Sequence, residues 1–354
     1  MSQSDPLEVV LVGCGAVSQL FYAPALAELE RHGMLRVAEL VDPSDLARGR
    51  LAGSFPAAVS CREMSKNRER PALAIIASPP KFHRGHVEAA LEAGDHVLCE
   101  KPMAGTPADC EAMISAAASA GRVLAVGHYK RFMPAHQALK HLIDKQPFGP
   151  LRHLEIAEGG KFAWPAASDS FFRKEQTPGG VLLDIGVHVL DLVGWWLGEP
   201  TTFRYADDAR DGLEANCLLE AHFADGASAR IRLSRDWATP QCYHFKFERA
   251  GVHCRVNASN RLELTLDGLP LTFAAELRDP LPPRPAAESR PLETNAQSFI
   301  SQLVDVCSAI REGHAPAVPG TEGIRAVRWI SECYARREPM KEPWQVATPS
   351  ALSA

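Results

Sequence analysis

The chain contains 354 residues, of which 46% are hydrophobic and 23% charged, as is usual for a globular protein with a sizeable core. The length predicts about two domains. The formal net charge is −5, and because acidic and basic residues are interspersed, no basic stripe indicates a nucleic acid or an anionic membrane surface as partner.

The N-terminal residues, the apolar runs and the cysteine spacing bear on the cellular compartment. The N-terminus lacks the basic and apolar regions of a signal peptide, and no apolar run approaches the ~20 residues that span a bilayer. The 9 cysteines are scattered and none forms Cys-x-x-Cys, so a disulfide framework and a thiolate zinc site both fit poorly. We therefore predict a cytoplasmic protein with reduced thiols and no metal site.

Short apolar runs alternate with helix-like segments through the first 128 residues. The runs predict strands at Glu8–Gly13, Leu35–Asp42, Ala72–Ser78, His96–Cys99 and Arg122–Gly127. The segments between several of them predict helices at Phe21–His32, His83–Ala93 and Pro107–Ala120, with a further helix at Ala135–Lys145. Strands that alternate with helices indicate βαβ units, so we predict an α/β fold with a parallel sheet.

From Leu151 the pattern changes to strands separated by turns. We predict strands at Leu151–Ala157, Leu213–Phe223, Ala227–Ser234, His244–Arg249, Val252–Asn257 and Leu262–Leu266. Turns such as Asp267-Gly268 suit antiparallel hairpins. A helix at Gly179–Leu197 interrupts this pattern, and two late helices near Asn295–Arg311 and Thr321–Arg336 are expected to return to the first domain.

A glycine motif follows the first predicted strand and opens the first predicted helix. It reads Gly13-Cys14-Gly15-Ala16-Val17-Ser18, which is the Rossmann dinucleotide fingerprint with serine at the third glycine position. The first glycine permits a tight turn, the second lets the backbone approach a pyrophosphate, and the helix N-terminus supplies amide donors. We expect Gly13, Gly15, Ala16 and Val17 to contact the cofactor, which makes residues 1–128 a Rossmann NAD(P)-binding domain.

An acidic residue at the end of the second predicted strand bears on the choice of cofactor. The Asp42 carboxylate is placed to accept hydrogen bonds from an adenosine ribose and to repel a 2′-phosphate, which favours NAD over NADP. The alternative is a turn or helix-capping role, and Arg48 and Arg50 lie close enough to keep NADP open.

The turn after the strand at Ala72–Ser78 is expected to lie along the cofactor groove. Ser78, Pro79 and His83 are the candidate cofactor contacts there, and His83 would lie on the nicotinamide side. The alternative for His83 is a surface histidine at the end of a helix.

The tripeptide Glu100-Lys101-Pro102 ends the apolar run His96–Cys99. This position puts Lys101 at the carboxyl end of a strand, where open α/β sheets bind their ligands. Proline after the lysine prevents the strand from continuing as an ordinary inner strand. The alternative is a simple turn.

The predicted helix Gly179–Leu197 carries an acid and a histidine four residues apart. On a helix this spacing puts Asp184 and His188 on one face. Oxidation of a secondary alcohol requires a base for the hydroxyl proton and a positive group for the developing oxyanion. His188, oriented by Asp184, and the cation of Lys101 meet these requirements. The alternative is a structural Asp–His pair within a packed helix.

Taken together, these motifs resemble the Gfo/Idh/MocA oxidoreductase family, named for glucose–fructose oxidoreductase, inositol dehydrogenase and a rhizopine catabolism protein. The resemblance covers nearly the whole chain and rests on Gly13-x-Gly15, Ala93 to Pro102, Val126 to Phe132, and Gly179 to His188. It implies a second α/β domain on a large open sheet. From the sequence pattern we place this domain at 129–337 with mostly antiparallel strands, and we expect the late helices at 295–336 to pack on the first domain and the tail at 338–354 to be flexible.

The resemblance also implies roles for individual residues. It implies that Lys101 is the catalytic lysine, that His188 exchanges the proton, and that Asp184 assists it. All three are expected to contact the substrate, and Glu100 and Lys101 are expected to contact the cofactor. It implies that His128 and Arg131 lead into the substrate domain and are candidate substrate contacts, and that the Lys101–Pro102 bond is cis. Where the family frequently has three glycines, this chain has Pro178-Gly179-Gly180.

Relatives in this family commonly act on sugars, sugar nucleotides, inositols and their keto forms, and often form dimers or tetramers. The expected function is therefore an NAD(P)-dependent dehydrogenase of a carbohydrate or cyclitol, assembled as a homodimer or homotetramer. Lys161, Trp164 and Arg173 are candidate substrate contacts, because Trp164 can stack on a sugar ring and the cations can bind hydroxyls or anions. A redox-neutral NAD-dependent glycosidase and a non-catalytic NAD(P)-binding sensor are the alternatives.

Overall fold

The computed structural model describes residues 5–66, 69–165, 172–174, 177–209, 212–256, 260–275, 281 and 294–340. The chain divides into two compact units. The first unit contains the described residues of 1–133, 165–168 and 278–327, and the second those of 134–164, 169–277 and 328–354. The domain boundaries expected at 128/129 and 337/338 stay predictions, and most of the predicted tail, 341–354, lies outside the described residues.

The secondary structure follows the predicted alternation and adds several short elements. The α-helices are α1 Ala23–Arg31, α2 Asp45–Ala52, α3 His83–Glu92, α4 Pro107–Ala120, α5 Pro134–Lys145, α6 Val187–Leu197, α7 Thr294–Glu312 and α8 Gly320–Ala335. The strands are β1 Leu7–Val12, β2 Leu35–Val41, β3 Val59–Cys61, β4 Leu73–Ile76, β5 His96–Cys99, β6 Leu124–Val126, β7 Leu151–Gly159, β8 Pro200–Asp207, β9 Asn216–Phe223, β10 Ser228–Ser234, β11 Cys242–Phe247, β12 Ala250–Arg255, β13 Arg261–Leu266, β14 Leu269–Ala274 and β15 Glu338–Pro339.

The first unit is built on a 6-stranded sheet with the order β3-β2-β1-β4-β5-β6. All of its strand pairs are parallel. The chain order reverses between β1 and β4, and ligands of open α/β sheets bind beyond the carboxyl ends of the strands at such a reversal. The predicted parallel Rossmann sheet is confirmed.

Alternate residues of the first sheet serve two separate cores. Val9 and Leu11 of β1 face a cluster that includes residues of α1 and α7, whereas Val10 and Val12 face a cluster that includes residues of α3 and α4. β1 is therefore apolar on both faces, which explains its near-continuous apolar run in the sequence. The late helix α7 packs on α1 within this unit.

The second unit contains a 9-stranded mixed sheet with the order β14-β13-β12-β11-β7-β10-β9-β8-β15. The pairs β7–β10 and β8–β15 are parallel and the other pairs are antiparallel, so the large, mostly antiparallel sheet is confirmed. Trp196 of α6 packs edge-on against Phe245 of β11, at 5.2 Å between ring centroids. The helices α5 and α6 contact each other in this unit.

The strands β3, β8, β14 and β15 were not predicted. β3 has only three residues, β8 mixes threonine and arginine with apolar residues, and every residue of β14 is exposed. β3, β14 and β15 lie at sheet edges, where a strand lacks the regular burial that gives a clear pattern of alternation, whereas β8 lies between β9 and the two-residue β15. Within the described residues, no helix has the length and hydropathy required to cross a membrane.

Candidate functional site

The glycine motif forms the turn between β1 and the first helical segment. Gly13 has φ of +93°, and a Cβ there would lie 2.6 Å from main-chain atoms of Ala77 and Ser78. A Cβ on Gly15 would meet no protein heavy atom within 4 Å. Gly13 is therefore required by the fold itself, whereas the space beside Gly15 fits the predicted approach of a pyrophosphate.

The serine at the third glycine position has a specific role in this turn. The buried Ser18 hydroxyl donates a hydrogen bond to the Gly13 carbonyl oxygen at 2.5 Å. Ser18 also begins a π-helical segment, Ser18–Tyr22, which follows Ala16 and Val17 and continues into α1. The departure from the glycine fingerprint thus stabilises the turn.

The two glycines give the first testable prediction. Gly13→Ala is expected to lower the free energy of unfolding by about 1–3 kcal/mol, because it adds a Cβ against main chain at positive φ. Gly15→Ala is expected to leave that free energy unchanged and to weaken NADH binding about tenfold or more, since it obstructs hydrogen bonds to the pyrophosphate. Urea unfolding and NADH fluorescence titration of both variants test the contrast; a destabilised Gly15→Ala with normal NADH affinity would contradict it.

Asp42 joins the glycine turn to the end of β2. Its Oδ2 accepts from the Cys14 N–H at 2.9 Å and its Oδ1 accepts from the Ser44 N–H at 2.8 Å. A carboxylate offers about four acceptor sites, so these two amides leave capacity for ribose hydroxyls. Arg48 donates to the Asp42 carbonyl oxygen and to the Asp45 carboxylate, which keeps its guanidinium bound to the protein.

His83 lies in the interior rather than at the surface. Its ring is fully buried, with Nε2 2.7 Å from the Ser78 carbonyl oxygen and Nδ1 3.0 Å from that of Pro102. Ser78 Oγ lies 2.9 Å from Nδ1 of His86. The alternative of a surface histidine is therefore wrong: His83 links the turn after β4, which includes Pro79, to the turn that follows Lys101.

Burial of His83 has a consequence for stability. Burial lowers the pKa of His83 below its ordinary value, and the carbonyl contacts only partly oppose this shift. The unfolded chain therefore takes up a proton at higher pH than the folded chain, and stability falls as the pH drops below about 6.5. We expect His83→Gln to flatten this fall, measured as urea midpoints from about pH 7.5 to about pH 5.5. Parallel curves for the variant and the wild type would contradict the prediction.

Glu100 and Lys101 follow directly after β5. The buried Glu100 accepts from the Tyr22 hydroxyl at 2.7 Å and from the Lys101 N–H at 3.1 Å. Burial raises the pKa of Glu100, and its hydrogen bonds oppose this shift. The predicted cis Lys101–Pro102 peptide bond is confirmed. The Glu100 carboxylate thus supports the Lys101 main chain from inside the unit, and Lys101 itself is half-buried.

His128 and Arg131 lie just beyond β6, at a short 3₁₀ helix, Tyr129–Phe132. Both side chains are buried. The Arg131 guanidinium pairs with the Glu322 carboxylate at 3.4 Å, and the Arg131 N–H donates to the His128 carbonyl oxygen at 3.0 Å. Arg131 therefore has a structural partner in α8, and the substrate roles of both residues stay predictions.

The segment with Asp184 and His188 is not one regular helix. Leu182–Gly186 forms a π-helix, which carries Asp184, and α6 then begins at Val187 and carries the buried His188. Short π segments occur frequently at functional sites. The other π segment described in the chain, Ser18–Tyr22, follows the glycine turn, so both lie at positions singled out by the motifs.

Glu214, which the motifs did not indicate, holds the start of this segment. Its Oε1 accepts from the N–H groups of Gly180 and Leu182, at 2.9 and 3.1 Å, and from the Tyr334 hydroxyl at 2.7 Å. A Cβ on Gly180 would lie 2.0 Å from the Glu214 carbonyl oxygen. Glycine at 180 is therefore required by close approach of two main chains.

Arg235 is a second residue that the motifs did not indicate. Its guanidinium lies 3.2 Å from Asp184 Oδ2 and donates to the Gly180 carbonyl oxygen at 3.1 Å. Its position directly after the predicted strand Ala227–Ser234 was the available sequence signal. The three residues proposed from the sequence for substrate contact, Lys161, Trp164 and Arg173, are exposed.

Two family models match the chain. Residues 7–128 match the model described as "Oxidoreductase family, NAD-binding Rossmann fold", and residues 136–258 match the GFO/IDH/MocA C-terminal domain. These matches agree with the glycine turn, the strand order and the mixed sheet described above, which positions the chain within one family over most of its length.

Curated proteins and a solved structure are similar to the chain. D-glucoside 3-dehydrogenase of Escherichia coli K12 is 36% identical over 131 residues, which is 37% of each protein, so the chain spans little more than a third of this relative. The rhizopine catabolism protein MocA of Rhizobium meliloti is 30% identical over 64% of the chain and 70% of that protein. The aldose–aldose oxidoreductase from Caulobacter crescentus, complexed with glycerol, superposes with a TM-score of 0.79 at 25% identity, covering 94% of this chain and 97% of that one. The chain therefore belongs to the Gfo/Idh/MocA family of NAD-binding oxidoreductases.

Proposed function

We propose that this protein is an NAD-dependent dehydrogenase that interconverts a secondary hydroxyl and a ketone on a sugar, sugar nucleotide or cyclitol. The observation that carries the proposal is the position of Lys101. Lys101 follows β5, the strand beside β4. It therefore lies at the carboxyl end of the sheet, where the glycine turn after β1 also lies. The family and the relatives named above support a carbohydrate or cyclitol as substrate.

The residues at this carboxyl end of the sheet fit a dinucleotide. The glycine turn has room beside Gly15 for a pyrophosphate, and the Asp42 carboxylate is fixed by two amides at the end of β2. The same carboxylate disfavours a 2′-phosphate, and Arg48 is already bound to Asp42 and Asp45, which supports NAD over NADP. When bound, NAD supplies the hydride acceptor or donor.

The side chains of this protein supply the remaining chemistry. We assign to the Lys101 ammonium the stabilisation of negative charge on the substrate oxygen as the hydroxyl loses its proton. We assign to His188 the exchange of that proton, and to Asp184 the orientation of substrate hydroxyls or of the histidine. Lys161, Trp164 and Arg173 are proposed substrate contacts, because all three are exposed and combine an aromatic face with two cations.

A substrate screen tests the proposed function. Inositols, free sugars, uronates and nucleotide sugars are each incubated with NAD or NADP, and reduced nicotinamide is followed by its absorbance. We expect turnover with at least one of these alcohols, and faster turnover with NAD than with NADP.

Two other outcomes of the screen would replace the proposal. Release of free sugar from glycosides without net nicotinamide reduction would indicate the redox-neutral glycosidase. Tight nicotinamide binding without turnover of any compound would indicate the non-catalytic sensor.

We also propose that the protein assembles as a homodimer or homotetramer, as the family resemblance implies. Sedimentation velocity measures the assembly state; a monomer at micromolar concentration would contradict this proposal.

A further inference from the structure

Arg235 stands at the end of β10 with its main chain held on both sides. Its N–H donates to the Ala215 carbonyl oxygen at 2.8 Å, and its carbonyl oxygen accepts from the Phe162 N–H at 2.8 Å. The residue is 7% exposed. The planar guanidinium of arginine is pre-organised, so less conformational entropy is lost for each hydrogen bond that it forms.

The Arg235 guanidinium donates hydrogen bonds to two acceptors in the segment that carries Asp184. Nη2 donates to the Gly180 carbonyl oxygen at 3.1 Å and to Asp184 Oδ2 at 3.2 Å. The same Gly180 oxygen accepts from the Asp184 N–H at 3.1 Å. One guanidinium therefore fixes the carboxylate relative to the first turn of its own helical segment.

Two phenyl rings cover the guanidinium. Its carbon atom lies 5.8 Å from the ring centroid of Phe162 and 5.7 Å from that of Phe172. The two rings contact each other edge to face at 4.8 Å. Aromatic rings at this distance attract a cation and exclude water from it, which strengthens the pairing with Asp184.

Exposure differs between the two partners of the ion pair. The Arg235 side chain is 6% exposed and the Asp184 side chain is 23% exposed. The cation is thus enclosed, whereas the carboxylate is partly exposed to solvent. Such an arrangement fits a support for a reactive carboxylate better than a pair that only holds the fold together.

We infer that Arg235 is a positioning residue that holds the Asp184 carboxylate in its working orientation, an inference that rests on the function proposed above. Glu214 holds the same segment through the N–H groups of Gly180 and Leu182, while Arg235 holds it through a carbonyl oxygen and the carboxylate. Arg235 acts through Asp184 and does not itself contact the substrate.

A double-mutant cycle in kcat tests this inference. The variants are Arg235→Gln, Asp184→Asn and the double variant, assayed with the screened substrate that gives the highest wild-type turnover. We expect each single variant to lower kcat about tenfold or more, and Arg235→Gln to lower it less than about twofold further in the Asp184→Asn background. A purely structural arginine would lower kcat by the same factor in both backgrounds, which would overturn the inference.

Two further variants complete the design. Arg235→Lys keeps the charge but reaches only one of the two acceptors, so we expect an intermediate kcat; it replaces Arg235→Gln if that variant does not fold. Arg204→Gln is the matched control, because Arg204 also pairs with a carboxylate in this unit, at 2.6 Å from Glu338, but is 68% exposed. We expect it to keep wild-type kcat.

The outcomes separate this inference from the proposed function. Wild-type kcat in Asp184→Asn would reject the assignment of Asp184 in the proposed function. If Asp184→Asn lowers kcat while Arg235→Gln leaves kcat unchanged, or lowers it by the same factor in both backgrounds, only the positioning role is rejected. Hydrogen–deuterium exchange of the amides of Val181 to Gly186 requires no substrate: we expect faster exchange in Arg235→Gln than in Arg204→Gln, and equal exchange would overturn the inference.

Discussion

Replacing Lys101 by alanine is expected to lower kcat/KM about 10³-fold while the affinity for NADH stays within about threefold of the wild type. His188→Ala should give a loss of similar size, because proton exchange and stabilisation of the oxyanion belong to the same step. Neither change touches the Gly13–Ser18 turn or Asp42. The measurements are steady-state kinetics on the best screened substrate and fluorescence titration with NADH.

Two control variants show whether these losses of activity are specific to the proposed site. Lys140 of α5, which pairs with Asp144 on the helix surface, and the exposed His222 of β9 provide a lysine and a histidine outside the proposed site. Lys140→Ala and His222→Ala should keep wild-type kcat/KM. If Lys101→Ala and His188→Ala also retain wild-type turnover, the site assignment is wrong, whatever the substrate.

Gly180→Ala is expected to lower the free energy of unfolding by about 3 kcal/mol and to impair kcat as well. The added Cβ would lie 2.0 Å from the Glu214 carbonyl oxygen and 2.8 Å from its nitrogen. The main-chain atoms of Glu214, just before β9, cannot move aside as a flexible side chain does. The displacement would therefore reach the π segment that carries Asp184.

Gly194 provides the control within the same helical region. It lies in the interior of α6, and a Cβ there would meet no heavy atom within 4 Å. Gly194→Ala should raise the free energy of unfolding by about 0.5–1 kcal/mol, because alanine has the higher helix propensity, and should leave kcat unchanged. Urea unfolding curves of both variants measure the contrast. Equal free energies of unfolding for Gly180→Ala and Gly194→Ala would contradict the prediction, because they would show that the structure accommodates a Cβ at position 180 without loss of stability.

The sequence predicted the parallel sheet well because each of its strands is a local signal. β1, β4, β5 and β6 are mostly buried and so appear as apolar runs, and the helices that follow them were predicted, whereas α2, which follows β2, was not. Gly121, for example, ends α4 in the left-handed conformation, as expected of a C-terminal cap. The edge strands β3 and β14 lack that burial, and the π-helix at Leu182–Gly186 has no periodic signal that separates it from an α-helix.

The contrast between His83 and Arg235 illustrates what residue type and position do not reveal. His83 stays a predicted cofactor contact, and the structure adds that its ring contacts the main-chain carbonyl oxygens of Ser78 and Pro102. Arg235 carried no motif, yet it lies against Asp184. In both cases the direction of the side chain follows from burial, which the identity of the residue leaves open.

The sequence by itself determined the family, the parallel dinucleotide-binding sheet and the candidate chemical groups Lys101, Asp184 and His188, because each depends on residues close together in the chain. Only the tertiary structure decided which groups support them. Arg235 is 51 residues from Asp184, and Glu214 is 34 residues from Gly180. The antiparallel register of β9 and β10, which pairs Asn216 with Ser234, brings Glu214 and Arg235 to the same end of the sheet beside Gly180. That register follows from the short hairpin turn between the two strands, but nothing near Glu214 or Arg235 in the chain indicates that Gly180 lies beside them.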